Sequence, residues 1–265
     1  MHRALGGTVI RPAMVEPIRF HGVGKRYGKL WALRHVDCTF SAGEVVMLIG
    51  PNASGKTTLI KCLLGLVRPT EGFITVHGNA IGVDPAYRRV IGYMPQISQF
   101  PATLTIRQLF RMMDDIRGSH DSAMSDPLVK ELDLNHRLDE RLTTLSGGTK
   151  QKVSAVLATH TDPSILVMDE PTAGLDPVSA QLVLARAGAM RDAGGTVLIT
   201  SHLMEEVERL ADRVAYLEDG DLRFLLPVQE ILERTGGRRL AEALPRLVAD
   251  DRAMRRQNRI GTTES

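Results

Sequence analysis

The sequence has no apolar run long enough to cross a bilayer. The runs Val45–Ile49 and Ile165–Met168 are strand-sized, whereas a membrane helix needs about 20 consecutive apolar residues. A role at a membrane is therefore expected to pass through a partner, with the chain itself cytoplasmic. Residues 1–17 hold Gly6-Gly7, charges and two prolines but no apolar core or cleavage site, so a flexible extension is expected there rather than a signal peptide. Cysteine is scarce. Cys38 and Cys62 stand far apart, which predicts two buried thiols in a reducing compartment rather than a disulfide. They form no C-x-x-C, and the eight histidines are scattered, so no metal site is visible in the spacing. Excess charge is also lacking. A net charge of +2 gives no argument for a nucleic-acid partner. What remains, 265 residues of which 43% are hydrophobic, suffices for one core with a subdomain.

The pattern along the chain predicts an α/β core. Ile18 to Phe40 reads as antiparallel strands with a turn at Tyr27-Gly28-Lys29. Val45–Ile49 is a short strand, Thr57–Leu66 has helical spacing before Pro69, and Phe73–Val76 suggests another hairpin. From Pro101 to Leu142 the apolar residues Leu104, Ile106, Leu109, Phe110, Met112 and Met113, then Leu128, Leu132 and Leu134, recur at helical intervals. They predict an inserted helical subdomain, over about 101–160, with the two methionines as core packing. Ile165–Met168 and Val197–Thr200 read as strands buried on both faces. In the helix that follows, Leu203, Val207 and Leu210 form an apolar stripe, and Glu205, Glu206 and Glu208 read as its solvated side. The charged tail, with Arg252, Arg255, Arg256 and Arg259, reads as a frayed basic end. The expected division is thus 1–17, one α/β domain over 18–225, and a helical, charged tail over 226–265.

Gly50-Pro51-Asn52-Ala53-Ser54-Gly55-Lys56-Thr57 fits G-x-x-x-x-G-K-[ST] between a strand and a helix, the context that makes a phosphate loop. Its backbone N–H groups and the helix dipole favour phosphate. Lys56 is expected at the β- and γ-phosphates, and Thr57, followed by Thr58, is expected to bring a hydroxyl to Mg²⁺. Asp169, at a strand end, is the expected second anchor for Mg²⁺. Glu170 is placed to polarise an attacking water. Ser146-Gly147-Gly148 opens a second helix start suited to an anion, with no cation of its own.

Together with Asp169-Glu170-Pro171 and His202, these motifs resemble the ATP-binding cassette family over roughly Ile18 to Phe224. The resemblance implies a P-loop NTPase core of the cassette type, with an antiparallel β subdomain and an inserted helical subdomain. It implies two cassettes closing head to tail over ATP and Mg²⁺; a homodimer is expected, with the identity of the partner cassette left open by the sequence. It further implies Tyr27 stacking on adenine, Gln96 sensing Mg²⁺ and touching the coupling partner, and Ser146, Gly147 and Gly148 capping the γ-phosphate of the other subunit. Asp176 then lies in the loop that crosses the interface, and His202 is the switch histidine beside Glu170. One departure is plain: the fifth signature position, usually Gln, is Thr149.

A solitary cassette implies a subunit of a multi-chain transporter with an integral-membrane permease. Gly92-Tyr93-Met94-Pro95-Gln96, Phe100-Pro101, Leu104-Thr105 and Leu145–Lys152 are similar to a narrower group, the NosF ATPases of NosDFY complexes that mature nitrous oxide reductase. That likeness implies a NosY-like permease, a periplasmic NosD-like protein and a copper or sulfur cargo. The rivals are a drug or lipid exporter ATPase and, from another class, a cassette of DNA repair or translation. The short Lys56-to-Ser146 interval and the single cassette weigh against the latter. A P-loop kinase or GTPase is disfavoured by the signature and His202.

Overall fold

The computed structural model describes residues 16–82, 84–118, 122–237 and 239–261, with the side chains beyond 255 left aside. The extension expected over residues 1–17 lies almost wholly outside the described residues, as do the side chains of Arg256 and Arg259.

Two sheets form. The first is antiparallel, in the order β2-β1-β4-β5, from β1 (Ile18–Tyr27), β2 (Leu30–Phe40), β4 (Glu71–Val76) and β5 (Asn79–Ala80). The second has the order β10-β9-β3-β8-β7-β6. It contains β3 (Glu44–Ile49), β6 (Ile91–Met94), β7 (Ile165–Asp169), β8 (Thr196–Thr200), β9 (Arg213–Glu218) and β10 (Asp221–Pro227). All its neighbours pair in parallel except β10 on β9.

Strands of a parallel sheet covered on both faces read as continuous apolar runs, because alternate side chains enter different cores. Val45, Met47 and Ile49 join one core with Phe110, Val153 and Val183. Val46 and Leu48 join the other, with Phe20, Phe40 and Leu59. The first core is roofed by α2 (Ile106–Arg117), α3 (Pro127–Glu131), α4 (Gly147–Thr159) and α5 (Pro177–Asp192). The second holds α1 (Lys56–Leu63) between the sheets. This is the cassette fold expected from the motifs, and Met112 and Met113 pack against its helical core.

Local chemistry sets the helix starts. Thr105 and Gln108 form a reciprocal capping box on α2. Ser146 caps α4, and Asp176 caps α5 ahead of Pro177. The first helix is shorter than its periodicity suggests, and Leu66 lies exposed beyond it.

The carboxyl end of the chain differs from expectation. After α6 (Met204–Leu210) and α7 (Val228–Thr235), a regular helix α8 spans Leu240–Gly261. Arg252 is tied rather than frayed: its guanidinium pairs with the buried carboxylate of Glu218, with Nε 3.0 Å from Oε1. The stripe on α6 also needs correction. Val207 and Leu210 are buried, but Leu203 precedes the helix and is exposed.

Candidate nucleotide site

Because β3, β6, β7 and β8 run parallel, their carboxyl ends share one edge of the sheet, where open α/β sheets bind ligands. That edge receives the Gly50–Thr57 loop after β3, Gln96 after β6, Asp169-Glu170 on β7 and His202 after β8. With Tyr27 at the end of β1, the loop from Asn52 onward and these polar residues line one cleft of about 360 Å³, whereas Gly50 and Pro51 do not line it; the volume is within the range of small-molecule sites. Asn52, Ala53, Ser54, Gly55, Lys56, Thr57 and Thr58 all face it. Tyr27 is half-exposed, with Lys25 Nζ 5.1 Å from its ring centroid.

The loop glycines have a structural cause that the motif alone does not disclose. A Cβ at Gly50 would stand 2.0 Å from the carbonyl oxygen of Leu217, and one at Gly55 would stand 2.4 Å from that of Ala32. Their φ values of 150° and 110° add strain for any other residue. The loop is thus seated against the protein's own backbone. Lys56 is buried and donates to the carbonyls of Gly50 and Pro51 at 2.8 and 3.0 Å. Burial pushes its ammonium below the ordinary lysine value, while the charges of Glu170 and Asp169 push it back up. Ser54 Oγ is buried without a hydrogen-bond partner, a polar atom aimed into a cradle built for polar ligands.

The acids are fixed by strand register. Asp169 lies opposite Thr200, and Thr200 Oγ1 donates to Asp169 Oδ1 at 2.5 Å. The next residue, Glu170, takes φ 49°, rare for a non-glycine. Its N–H donates to Thr200 Oγ1 at 2.9 Å and to Thr200 O at 3.1 Å. The Glu170 carboxylate is gripped on both oxygens: Gln96 Nε2 donates to Oε2 at 2.9 Å, and His202 Nε2 lies 2.7 Å from Oε1.

The hydroxyl of Thr57, the carboxylate of Asp169 and the amide oxygen of Gln96 are hard oxygen donors suited to Mg²⁺, which usually rests on one or two carboxylates plus substrate phosphates. Among the described residues no cluster of three or more His, Cys, Asp or Glu is arranged to hold a metal.

Ser146, Gly147, Gly148 and Asp176 do not line this cleft. They form a second group of their own. Ser146 Oγ accepts from the N–H of Thr149 at 3.2 Å and lies 2.9 Å from Thr149 Oγ1. Gly147 faces open space, whereas a Cβ on Gly148 would stand 2.6 Å from Gly174 O. Asp176 accepts from Ser179 and from Lys152 Nζ, the latter at 3.1 Å. The hydrogen bonds from Ser179, followed by that of Lys152, hold its carboxyl well below the usual range.

Three polar residues here escaped the motif reading. Thr200 orients both acids. Gln151, buried on α4, takes a 2.8 Å hydrogen bond from Ser98 and lies 3.4 Å from Pro95 O, joining the Gln96 loop to the signature helix. Glu206, expected on a solvated face, is buried and accepts from Thr172 and Ser201. Glu205 is exposed as expected, and Glu208 accepts from the N–H of Ala241 at 2.9 Å. For Thr172, Ser98 and Ser201, the signal was only a small hydroxyl next to a motif.

Residues 33–173 match the ABC transporter family. The Nod factor export ATP-binding protein I of Burkholderia lata is 37% identical over 210 residues, covering 78% of this chain and 69% of that protein. The chain belongs to the ABC transporter family, as an ATP-binding cassette. The protein of the same name from Rhizobium meliloti is 32% identical and covers 92% of this cassette and 69% of its own length. A solved ATP-binding subunit of an ABC transporter superposes with a TM-score of 0.82 at 29% identity, covering 87% of this chain and 99% of its own. The fold also matches a cassette captured as a dimer bound to ADP and Pi, with a TM-score of 0.71 at 23% identity, covering 79% and 98%. The cassette is accordingly an ATPase of ABC type. No helix among its described residues is long and apolar enough to cross a membrane.

Proposed function

We propose that two copies of this cassette close head to tail over ATP and so drive a membrane permease. The observation that carries the reading is the division of the chain's phosphate-handling residues into two groups, with Ser146, Gly147, Gly148 and Asp176 outside the cleft that holds Lys56 and Glu170. A helix start such as Gly147–Thr149 attracts anions, and a second copy is the natural source of a phosphate to meet it. Each γ-phosphate then touches both copies only in the closed dimer, which is how its binding energy favours closure.

In this reading Tyr27 stacks on adenine. Gly50, Pro51, Asn52, Ala53, Ser54, Gly55, Lys56, Thr57 and Thr58 surround the phosphates. Thr57, Asp169 and Gln96 would hold Mg²⁺, which supplies charge neutralisation at the phosphate oxygens. Glu170 accepts a proton from water as the water oxygen bonds to the γ-phosphorus. The bond from that phosphorus to the bridging oxygen breaks, leaving ADP and phosphate. His202 and Gln96 keep the Glu170 carboxylate aimed. The Gln96 loop, tied to α4 through Gln151, carries the movement toward the permease, which would hold the cassette on the inner face of the membrane.

For the cargo, relatives named Nod factor export ATP-binding protein I support the exporter branch. A second reading, a NosF-like ATPase working with a NosY-like permease and a periplasmic NosD-like protein on a copper or sulfur species, is supported by Gly92–Gln96 and Leu145–Lys152. The permease that co-purifies with the tagged cassette distinguishes them. Closure itself is tested with Glu170→Gln protein: Mg-ATP should convert monomer to dimer on size exclusion, and adding Ser146→Arg should abolish that shift. A hydrolysis-deficient cassette that stays monomeric at saturating Mg-ATP, with or without its permease, refutes the reading.

A further inference from the structure

Glu206 is a buried carboxylate held by two hydroxyls. Among the described residues no lysine or arginine forms an ion pair with it. Thr172 Oγ1 donates to its Oε1 at 2.5 Å, and Ser201 Oγ donates to its Oε2 at 2.6 Å. Burying a charge without a countercharge is costly, and a well-packed apolar residue is often no less stabilising. The carboxylate therefore has little to offer as mere filling. What it does offer is a bridge with two acceptor ends, each able to hold a hydroxyl from a different segment.

Those segments are the two that carry the reacting pair. Thr172 stands two residues after Glu170, in the turn where Ala173 N–H donates back to Glu170 O at 3.2 Å. Ser201 immediately precedes His202, and its Oγ also accepts from the N–H of Leu203 at 3.0 Å, so one hydroxyl braces the backbone on both sides of the histidine. Glu170 is held in a sparsely populated conformation, which persists only where the surroundings over-determine it. Its own N–H bonds to Thr200 brace one side. The bridge from Thr172 through Glu206 to Ser201 braces the other.

We propose that Glu206 is a positioning residue for ATP hydrolysis: its carboxylate clamps Thr172 to Ser201 and so sets the approach of His202 to Glu170. This rests on the reading in which Glu170 receives the proton of the attacking water.

The test is steady-state ATPase of the full chain, with its permease present, for Glu206→Ala, Glu206→Gln, Thr172→Val and the double variant Glu206→Ala/Thr172→Val, beside Glu170→Gln. Glu206→Ala should lower kcat about 10- to 100-fold, the scale of a small misplacement of reacting groups, with KM for ATP unchanged. In Glu206→Gln the amide oxygen accepts from one hydroxyl and the NH₂ donates to the other, which can turn to accept, so most of the loss should be recovered. The double variant should be no slower than Glu206→Ala alone, because both changes break one bridge. A kcat within about twofold of the parent in folded Glu206→Ala and Thr172→Val, or losses that multiply in the double variant, overturns the assignment. If Glu206→Ala does not fold, Thr172→Val and Ser201→Ala carry the same comparison. Parental turnover in Glu170→Gln would instead remove the underlying reading, which separates the two failures.

Discussion

His202 Nε2 lies 2.7 Å from Glu170 Oε1, although the two residues stand 32 positions apart, each just past the end of one of two neighbouring parallel strands. With Gln96 on the other oxygen, the carboxylate is oriented by side chains of the protein itself. Glu170→Gln should therefore cut kcat by about 10²–10⁴-fold, the usual contribution of a general base, and leave nucleotide affinity at the parent value. His202→Ala should cost about 10²-fold through lost orientation. Parallel turnover and equilibrium nucleotide-binding assays check both; a matching loss of affinity would point to collapse of the cleft.

Gly147 and Gly148 should respond differently to the same methyl group. At Gly148 it meets the backbone oxygen of Gly174, whereas at Gly147 it meets nothing. Gly148→Ala is expected to destabilise the fold by about 1–3 kcal/mol, the range for overpacking. Gly147→Ala should leave the melting temperature unchanged yet weaken ATP-driven dimerisation. Thermal melts and size exclusion separate the two effects, and equal melting losses would contradict the contrast.

Thr149 stands where the cassette signature usually carries Gln, and its hydroxyl lies 2.9 Å from Ser146 Oγ. If Thr149 donates that bond, both lone pairs of Ser146 Oγ are taken, because the N–H of Thr149 uses the other. The Ser146 proton is then left pointing outward, ready for a phosphate. Thr149→Val should weaken ATP-driven dimerisation roughly fivefold, the worth of one hydrogen bond near 1 kcal/mol. Thr149→Ser should restore it. Titration of dimer formation in the Glu170→Gln background reads both, and no difference between Val and Ser would dismiss the hydroxyl.

The Arg252–Glu218 pair should show itself in the pH dependence of stability. The hydrogen bond from Arg252 holds the Glu218 carboxyl below the ordinary value, against the opposing pull of burial. A depressed carboxylate contributes stability above its unfolded pKa, near 4.3 for Glu, and loses it as pH falls through the lower folded value. Arg252→Ala should thus lower the melting temperature measurably at pH 7. That gap should narrow below pH of about 4, as the carboxylate takes up a proton in both proteins. A gap that persists unchanged into acid would assign the loss to packing of α8 instead.

Much of the candidate site was legible because its residues are contiguous in the sequence. Gly50–Thr57 and Asp169-Glu170 carry their meaning within a few positions, and the continuous apolar runs of the parallel strands announced a sheet covered on both faces. What stayed hidden depends on distance in the chain. Glu206 follows the spacing of a solvated helix face, and only the arrival of Thr172, 34 residues earlier, explains its burial. Arg252 looks like one of several tail arginines until Glu218, again 34 residues away, is placed beneath it. Even at Gly50 the motif does not disclose that a Cβ would meet the carbonyl of Leu217 on a distant strand.

The tie between α8 and β9 has a practical side. Glu218 leads into a turn where the N–H of Gly220 donates to Ser54 O at 3.0 Å, so the phosphate loop leans on a hairpin that the last helix anchors from outside. Trimming the chain before Arg252 to make a minimal cassette would loosen that prop from behind, and a shortened protein would report a weakened nucleotide cradle that the intact one does not have.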